Sequence, residues 1–174
     1  RNHGLLHSGA RYAVTDSESA EECIKENMIL RKIARHCTEE HDGLFITLPD
    51  DDLEYQAKFV ESCHKAGIRA DIIDTEEAKR REPSVNPDII GAVVVPDGSV
   101  DPFRLTLSNV TDARLHGAEV LTFHEVTKLL IENGRVRGVQ VRNNLTGEMS
   151  EVYAQITVNA AGIWGCKITQ LAGI

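Results

Sequence analysis

The residues best suited to chemistry lie at the start of this chain. Residues 1–12 (the first segment) have the sequence R-N-H-G-L-L-H-S-G-A-R-Y, and no acidic residue precedes Asp16. The chain as a whole is acidic, with 19 Lys and Arg against 27 Asp and Glu and a net charge of -8. Because glycine lets the backbone approach a ligand and arginine binds phosphate oxygens with a planar fork, the first segment indicates a local anion site.

Two further stretches carry motif-like spacing. Residues 158–165 (the second segment) have the sequence V-N-A-A-G-I-W-G. A β-branched residue followed by small residues and glycine is typical of a buried strand that ends with its backbone against a cofactor. Residues 96–105 have the sequence P-D-G-S-V-D-P-F-R-L. We interpret Asp97 as a turn residue and Asp101 as a helix cap.

Helices and strands alternate between these stretches. The predicted helices run from a cap at Asp16 or Ser17 to about residue 34, from a cap at Asp50 or Asp51 to Gly67, from Asp74 to a point before Pro83, and from Asp101 to about Gly117. The predicted strands cover residues 44–48, 68–73, 92–95, 120–121, 126–132, 135–142, 151–154 and 156–158. Asn133-Gly134 is the strongest two-residue signal for a β-hairpin.

Composition excludes several classes of protein. The acidic balance argues against nucleic-acid binding, and there is neither an apolar run long enough to span a bilayer nor a visible signal peptide. The four cysteines have no metal or redox spacing, which favours reduced thiols in the cytoplasm. Residues 50–52 are three consecutive aspartates, but no further ligands follow at calcium-loop spacing, so no metal site is predicted.

Three segments, in this order, resemble the FAD-dependent glycerol-3-phosphate dehydrogenases, in particular the catalytic A-subunit type of the anaerobic, quinone-linked enzymes. Residues 5–12 resemble the family's L-I-H-G-G-x-R-Y segment beside the flavin, and the second segment resembles its second flavin-contacting strand end. Residues 81–105 resemble the E-P…P-D-G-x-V-D-P-x-R-L pattern of the wider D-amino-acid-oxidase-like flavoproteins. The sequence departs from the family pattern at Gly4, where the family has Lys, and at Ser8, where it has Gly.

The resemblance implies a mixed α/β fold: part of an FAD-binding domain with an inserted α+β substrate-binding segment. Residues 1–40 and 106–174 are assigned to the FAD-binding domain, and residues 41–105 to the substrate-binding domain. The G-x-G-x-x-G turn that holds the pyrophosphate of FAD has no counterpart here. We therefore expect an internal piece of a longer protein, colourless and inactive when purified alone.

The resemblance also implies roles for individual residues. Arg11 would contact the substrate's phosphate, and Tyr12 would line the same pocket. The cofactor-binding candidates are Asn2, His3, Leu5, Leu6, His7, Ser8, Gly9, Val126, Ala160, Ala161, Gly162 and Trp164. From the residues alone, ordinary structural roles stay open for all of these positions, and no general base can be named.

The function implied for the complete protein is oxidation of the C2 hydroxyl of sn-glycerol-3-phosphate to the ketone of dihydroxyacetone phosphate. Electrons would pass through FAD and partner subunits to quinone. Those subunits would hold the cytoplasmic protein at the inner membrane. Two alternatives remain: a related FAD-dependent 2-hydroxy-acid oxidase or dehydrogenase, and a non-catalytic module of the same fold. Arg11 beside Tyr12 favours a phosphorylated substrate.

Overall fold

A computed structural model describes residues 2–173, which form two compact units. The first unit ends at Asp112 and the second begins at Ala113. Within the described residues the first unit has two three-stranded sheets and the second has one. The mixed α/β class predicted from the sequence is confirmed. None of the described helices has the length and apolar character needed to cross a bilayer.

The first long helix, α1 (Ser17–Ile33), begins where the sequence predicts it. Asp16 is its N-cap: one carboxylate oxygen accepts a hydrogen bond from the Ser19 hydroxyl at 2.6 Å, and the other accepts from the Ser19 backbone N–H at 3.1 Å. These two bonds hold the pKa of the Asp16 carboxyl below its usual value. The cap thus starts the helix immediately after the first segment.

Six short strands build the sheets of the first unit. They are β1 (Leu5–Leu6), β2 (Thr38–Glu40), β3 (Gly43–Thr47), β4 (Asp71–Ile73), β5 (Gly91–Val95) and β6 (Gly98–Val100). In one sheet β6 lies between β1 and β2, and in the other β5 lies between β3 and β4, with every pair antiparallel. The strands predicted near residues 45 and 93 are confirmed, whereas β1, β2 and β6 are too short to show a periodic pattern.

The first unit contains two further helices. The helix α2 (Leu53–Lys65) has Asp52 as its N-cap, one or two residues later than the predicted cap. Asp51 instead accepts a hydrogen bond from the Leu48 N–H at 2.8 Å. Gly67 follows it with a φ of +77°, as expected of a residue that ends a helix. The helix α3 (Thr75–Arg81) is capped by Asp74 and ends before Pro83, as predicted.

One hydrophobic core joins the start of the chain to its middle. It contains Ala10, Ala13, Ala20, Ile24, Phe59, Cys63, Ala66, Ile68, Ala70, Val93 and Val95. Burial raises the pKa of the Cys63 thiol to about 11, so this cysteine is a packing residue and not a nucleophile. The core includes residues on both sides of the predicted boundary at residues 40 and 41. The assignment of residues 1–40, 41–105 and 106–174 to separate functional domains stays a prediction.

A helix and a three-stranded meander follow. The helix α4 (Pro102–Leu115) is capped by Asp101, which accepts hydrogen bonds from the N–H groups of Phe103 and Arg104 at 3.0 Å each. The strands β7 (His124–Glu132), β8 (Arg135–Asn143) and β9 (Met149–Tyr153) pair in sequence order. Asn133 and Gly134 join β7 to β8 with φ values of +50° and +73°, which confirms the predicted hairpin turn.

Two predicted strands are wrong. Residues 120–121 lie in the connection between α4 and β7, and residues 156–158 have no regular secondary structure and pair with no strand of the described chain. Ile156 and Val158 are each 80% exposed. β-branched residues favour an extended backbone, but a strand also needs a neighbour to accept its hydrogen bonds. The second segment is therefore not a buried strand end in this structure.

Candidate functional site

The first segment contains the edge strand β1, and its side chains there divide into a buried face and an accessible face. β1 pairs with β6, Leu5 opposite Ser99 and Leu6 opposite Gly98. Leu6 and Ser8 are buried, whereas Leu5 is exposed and His7 is partly exposed. Because side chains alternate along an extended backbone, Leu5 and His7 belong to the accessible face. A ligand could contact Leu6 or Ser8 only through their backbone.

Gly9 turns the chain into α1. Its φ is +89°, and a Cβ there would lie 2.6 Å from the backbone oxygen of Ala20 and 2.7 Å from Cβ of Cys23. Only glycine fits this close approach of turn to helix. A single helical turn, Ala10–Tyr12, follows and leaves Arg11 and Tyr12 exposed.

Two side chains of α1 support the first segment, Asn27 directly and Arg31 through Asn27. Asn27 is 1% exposed, and its amide donates hydrogen bonds to the carbonyl oxygens of Leu6 and His7, each at 3.1 Å. Arg31, one turn later, donates from Nε to the Asn27 side-chain oxygen at 2.7 Å. A buried polar group must be paired to avoid a desolvation cost, and here the pairing orders a backbone that the sheet leaves partly free.

The same arginine reaches the turn before β6. One of its terminal nitrogens donates to the carbonyl oxygens of Pro96 and Asp97, at 2.8 and 3.0 Å. The Asp97 carboxylate accepts a hydrogen bond from the Ser8 N–H at 2.7 Å and lies 3.5 Å from Nδ1 of His7. Asn27, Arg31 and Asp97 (the clamp) therefore join α1, the first segment and the turn at residues 96–98.

Local contacts shape the start of the first segment. The Gly4 N–H donates to the Asn2 side chain at 2.6 Å, and the Leu5 N–H donates to Nδ1 of His3 at 3.1 Å. The His3 and His7 rings meet edge to face, with centroids 5.1 Å apart. The side chains of Asn2 and His3 thus each accept a local backbone hydrogen bond, and the two imidazole rings are in contact. Arg1, part of the predicted basic cluster, lies outside the described residues.

The remaining candidates lie in the second unit. Val126 is half-buried in β7, opposite Val141. Ala160 and Trp164 are exposed and Ala161 is partly so, and Gly162 has open space where a Cβ would lie. Asn159 organises this stretch: its side chain accepts from the Ala161 N–H at 3.2 Å and donates to the Gly165 carbonyl at 3.0 Å.

Comparison with known proteins identifies the family. A profile described as FAD dependent oxidoreductase matches residues 1–174. The chain belongs to the FAD dependent oxidoreductase family. It is 62% identical over 174 residues to the A-subunit of anaerobic glycerol-3-phosphate dehydrogenase from Escherichia coli K12, a match that covers all of this chain and 32% of that protein. The chain thus spans about a third of the length of that relative, and the predicted resemblance is confirmed.

Solved structures of FAD dependent oxidoreductases have the same fold. L-proline dehydrogenase from P. horikoshii matches with a TM-score of 0.80 and 27% identity, over 91% of this chain and 42% of that one. Glycerol-3-phosphate dehydrogenase from Bacillus halodurans, solved with FAD, matches with a TM-score of 0.67 and 20% identity, over 99% of this chain and 28% of that one. At that identity, the second likeness shows the fold alone.

The candidate residues are compatible with the cofactor of the FAD dependent oxidoreductase family. The first segment presents two imidazoles and an apolar Leu5 on its accessible face, and the clamp, with its buried Asn27, holds the backbone from the other side. The second segment exposes small residues whose backbone is open to a ligand. A segment that contacts a cofactor needs its polar groups held in place by the residues behind it, as in the first segment.

The clamp is the part of the site that sequence reasoning missed. The buried residues of α1 are Ala20, Ile24 and Asn27, so Asn27 interrupts an otherwise apolar stripe, and Arg31 follows it one turn later. A polar pair at i and i+4 on the core face of a helix is the signal that would have revealed it. The sequence predicts a turn role for Asp97, and its contact with the first segment has no local signal.

Proposed function

We propose that this protein is an FAD-dependent dehydrogenase that oxidises sn-glycerol-3-phosphate to dihydroxyacetone phosphate. The observation that carries the proposal is 62% identity, over all 174 residues, to the A-subunit of the E. coli anaerobic glycerol-3-phosphate dehydrogenase. The Haemophilus influenzae protein of the same name is 61% identical over the same 174 residues.

Arg11 is the proposed contact for the substrate's phosphate. It is exposed on the turn after Gly9, and within residues 2–173 no hydrogen bond or ion pair engages its guanidinium. A guanidinium without a protein partner can offer two parallel N–H donors to a phosphate dianion. Tyr12, exposed on the same turn, would line the pocket beside it.

The proposed cofactor contacts divide according to burial. Leu5 and His7 would use their side chains, Leu6, Ser8 and Gly9 would use the backbone, and Asn2 and His3 would add polar groups at the start of the first segment. The further proposed contacts are Val126, through its backbone, with Ala160, Ala161, Gly162 and Trp164. FAD, when bound, would supply the redox chemistry, while these residues bind and orient it.

The wider setting is also part of the proposal. Partner subunits would accept the electrons and pass them to quinone, and they would hold the protein peripherally at the inner membrane. The E. coli relative is named as one subunit, which supports an assembly of several chains.

A substrate comparison tests the proposed function. The protein as its gene encodes it would be assayed for reduction of an artificial electron-accepting dye with sn-glycerol-3-phosphate, glycerol, and 2-hydroxy acids such as lactate. We expect kcat/KM for glycerol-3-phosphate to exceed that for glycerol by at least about a hundredfold, because two charged hydrogen bonds to phosphate are each worth about 1.5–3 kcal/mol. A preference for 2-hydroxy acids would replace the proposal with the oxidase alternative, and reduction by none of them would favour a non-catalytic module.

A further inference from the structure

Asp97 contacts the first segment at two consecutive residues. One carboxylate oxygen accepts from the Ser8 N–H at 2.7 Å, and the other lies 3.5 Å from Nδ1 of His7. The Asp97 side chain is 20% exposed and that of His7 is 38% exposed. The carboxylate is therefore shielded behind the segment, while part of the imidazole ring stays accessible.

The surroundings restrict movement of both groups. Arg31 holds the carbonyl oxygens of Pro96 and Asp97, and Asn27 holds that of His7. Gly43 lies close to the same side chain: a Cβ at Gly43 would lie 3.0 Å from the Asp97 Cβ and 3.1 Å from its Oδ2. Both partners are thus fixed through their backbones, and the carboxylate packs closely on a glycine.

This arrangement favours Nδ1 as the ring nitrogen of His7 that carries the hydrogen. A carboxylate has acceptors only, so the nitrogen that faces it must carry the hydrogen for the contact to be favourable. In a neutral imidazole the other nitrogen is then an acceptor. The His3 ring contacts His7 edge to face and offers no carboxylate that competes for Nδ1.

We infer that Asp97 is a positioning residue: it fixes His7 in the tautomer with hydrogen on Nδ1, so that Nε2 is presented as a hydrogen-bond acceptor on the accessible face of the first segment. The inference about the ring stands on these contacts. Its consequence for turnover rests on the proposed function, which puts that face against the flavin and substrate.

Asp97→Asn changes the contact with the His7 ring and keeps the contact with the Ser8 N–H. The asparagine oxygen can still accept from the Ser8 N–H, but the amide NH₂ then faces Nδ1 of His7 as a donor. The tautomer of His7 should therefore invert. Asp101→Asn is the matched control, since it lies in the same P-D-G-S-V-D-P stretch and caps α4, where asparagine serves equally well.

Long-range 1H–15N spectra of ¹⁵N-histidine-labelled protein, in the form its gene encodes, read the tautomer directly. At pH 8 a free imidazole is neutral. The sequence here has 7 histidines, and the His7 signals are assigned by their loss in His7→Gln. We expect the Nδ1–H form in the parent and in Asp101→Asn, and the Nε2–H form in Asp97→Asn. An Nε2–H form in the parent, or the same form in parent and Asp97→Asn, would overturn the inference.

Kinetics with glycerol-3-phosphate test the consequence for turnover. Asp97→Asn should lower kcat about ten- to a hundredfold, as a misoriented active-site group does, with KM changed less than about threefold. An inverted tautomer with unchanged kcat would overturn the role of Asp97 in the reaction. If the parent oxidises no glycerol-3-phosphate but the tautomer inverts, the proposed function fails and the assignment of Asp97 stands.

Discussion

The first and second segments are similar in composition and different in how they are held. Both join small residues and glycine to an aromatic or imidazole side chain. The first is backed by a buried asparagine, a largely buried arginine and a carboxylate that come from other parts of the unit. In the second, the hydrogen bonds of the Asn159 side chain reach no further than Gly165, and Val158 and Ile163 are exposed.

This difference shows that the order of a glycine-rich segment depends on which side chains pack behind it. Long-range hydrogen bonds to backbone carbonyls restrict the first segment, and a segment ordered in this way would bind a ligand at a lower entropy cost. The side chain that organises the second segment bonds only to its near neighbours along the chain. The two segments should therefore respond differently to the same substitutions.

The largest expected effect is that of Asn27→Leu compared with Asn159→Leu. Asn27→Leu removes the hydrogen bonds to the carbonyls of Leu6 and His7 and also the partner of the Arg31 Nε donor, so the free energy of unfolding should fall by about 4 kcal/mol. Asn159 is exposed, and its replacement should cost less than about 1 kcal/mol. Urea unfolding followed by circular dichroism measures both values, and equal losses would show that the clamp does not support the first segment.

Glycine to alanine substitutions give the next largest effect. At Gly9 a Cβ meets the backbone oxygen of Ala20 and the Cβ of Cys23, so Gly9→Ala should cost about 3 kcal/mol through overpacking and positive φ together. Gly162 has a φ of +56° but open space around it, so Gly162→Ala should lower the free energy of unfolding by about 1 kcal/mol, through backbone strain alone. Thermal melts of the two variants provide the comparison, and a larger loss at Gly162 would contradict it.

Arg11→Ala tests the ligand side of the first segment. Loss of a charged hydrogen bond to phosphate costs about 1.5–3 kcal/mol, which corresponds to a rise of about ten- to a hundredfold in KM for glycerol-3-phosphate. The free energy of unfolding should change little, because Arg11 is exposed. Steady-state kinetics of the protein as its gene encodes it measure the constant. An unchanged KM would remove Arg11 from the substrate site.

The smallest expected effect concerns the second unit. Gly134→Val puts a β-branched residue at a φ of +73° and should lower the free energy of unfolding by about 1–2 kcal/mol. Arg135→Val, at the start of β8, is the control, because a strand favours a β-branched side chain. Equal melting temperatures for Gly134→Val and the parent would argue against dependence of the hairpin on this turn.

Much of the fold was predictable because its signals are local. The caps at Asp16, Asp74 and Asp101 and the Asn133-Gly134 turn each depend on groups within a few residues. The strand predicted at residues 156–158 failed because strand formation depends on a partner that residue types do not specify. Phe103 and Leu107 of α4 are exposed although both are apolar, because burial likewise depends on a neighbouring element that residue types do not specify.

The amino-acid sequence was sufficient for the long helices, most of their caps, the longer strands, the basic first segment and the family resemblance, since each of these depends on neighbouring residues. The clamp was not accessible in this way. Asn27 lies 21 residues from Leu6, and Asp97 lies 89 residues from Ser8. The partner of a buried polar side chain is whichever backbone group the packed fold leaves without a hydrogen bond, and that group is known once the chain has folded.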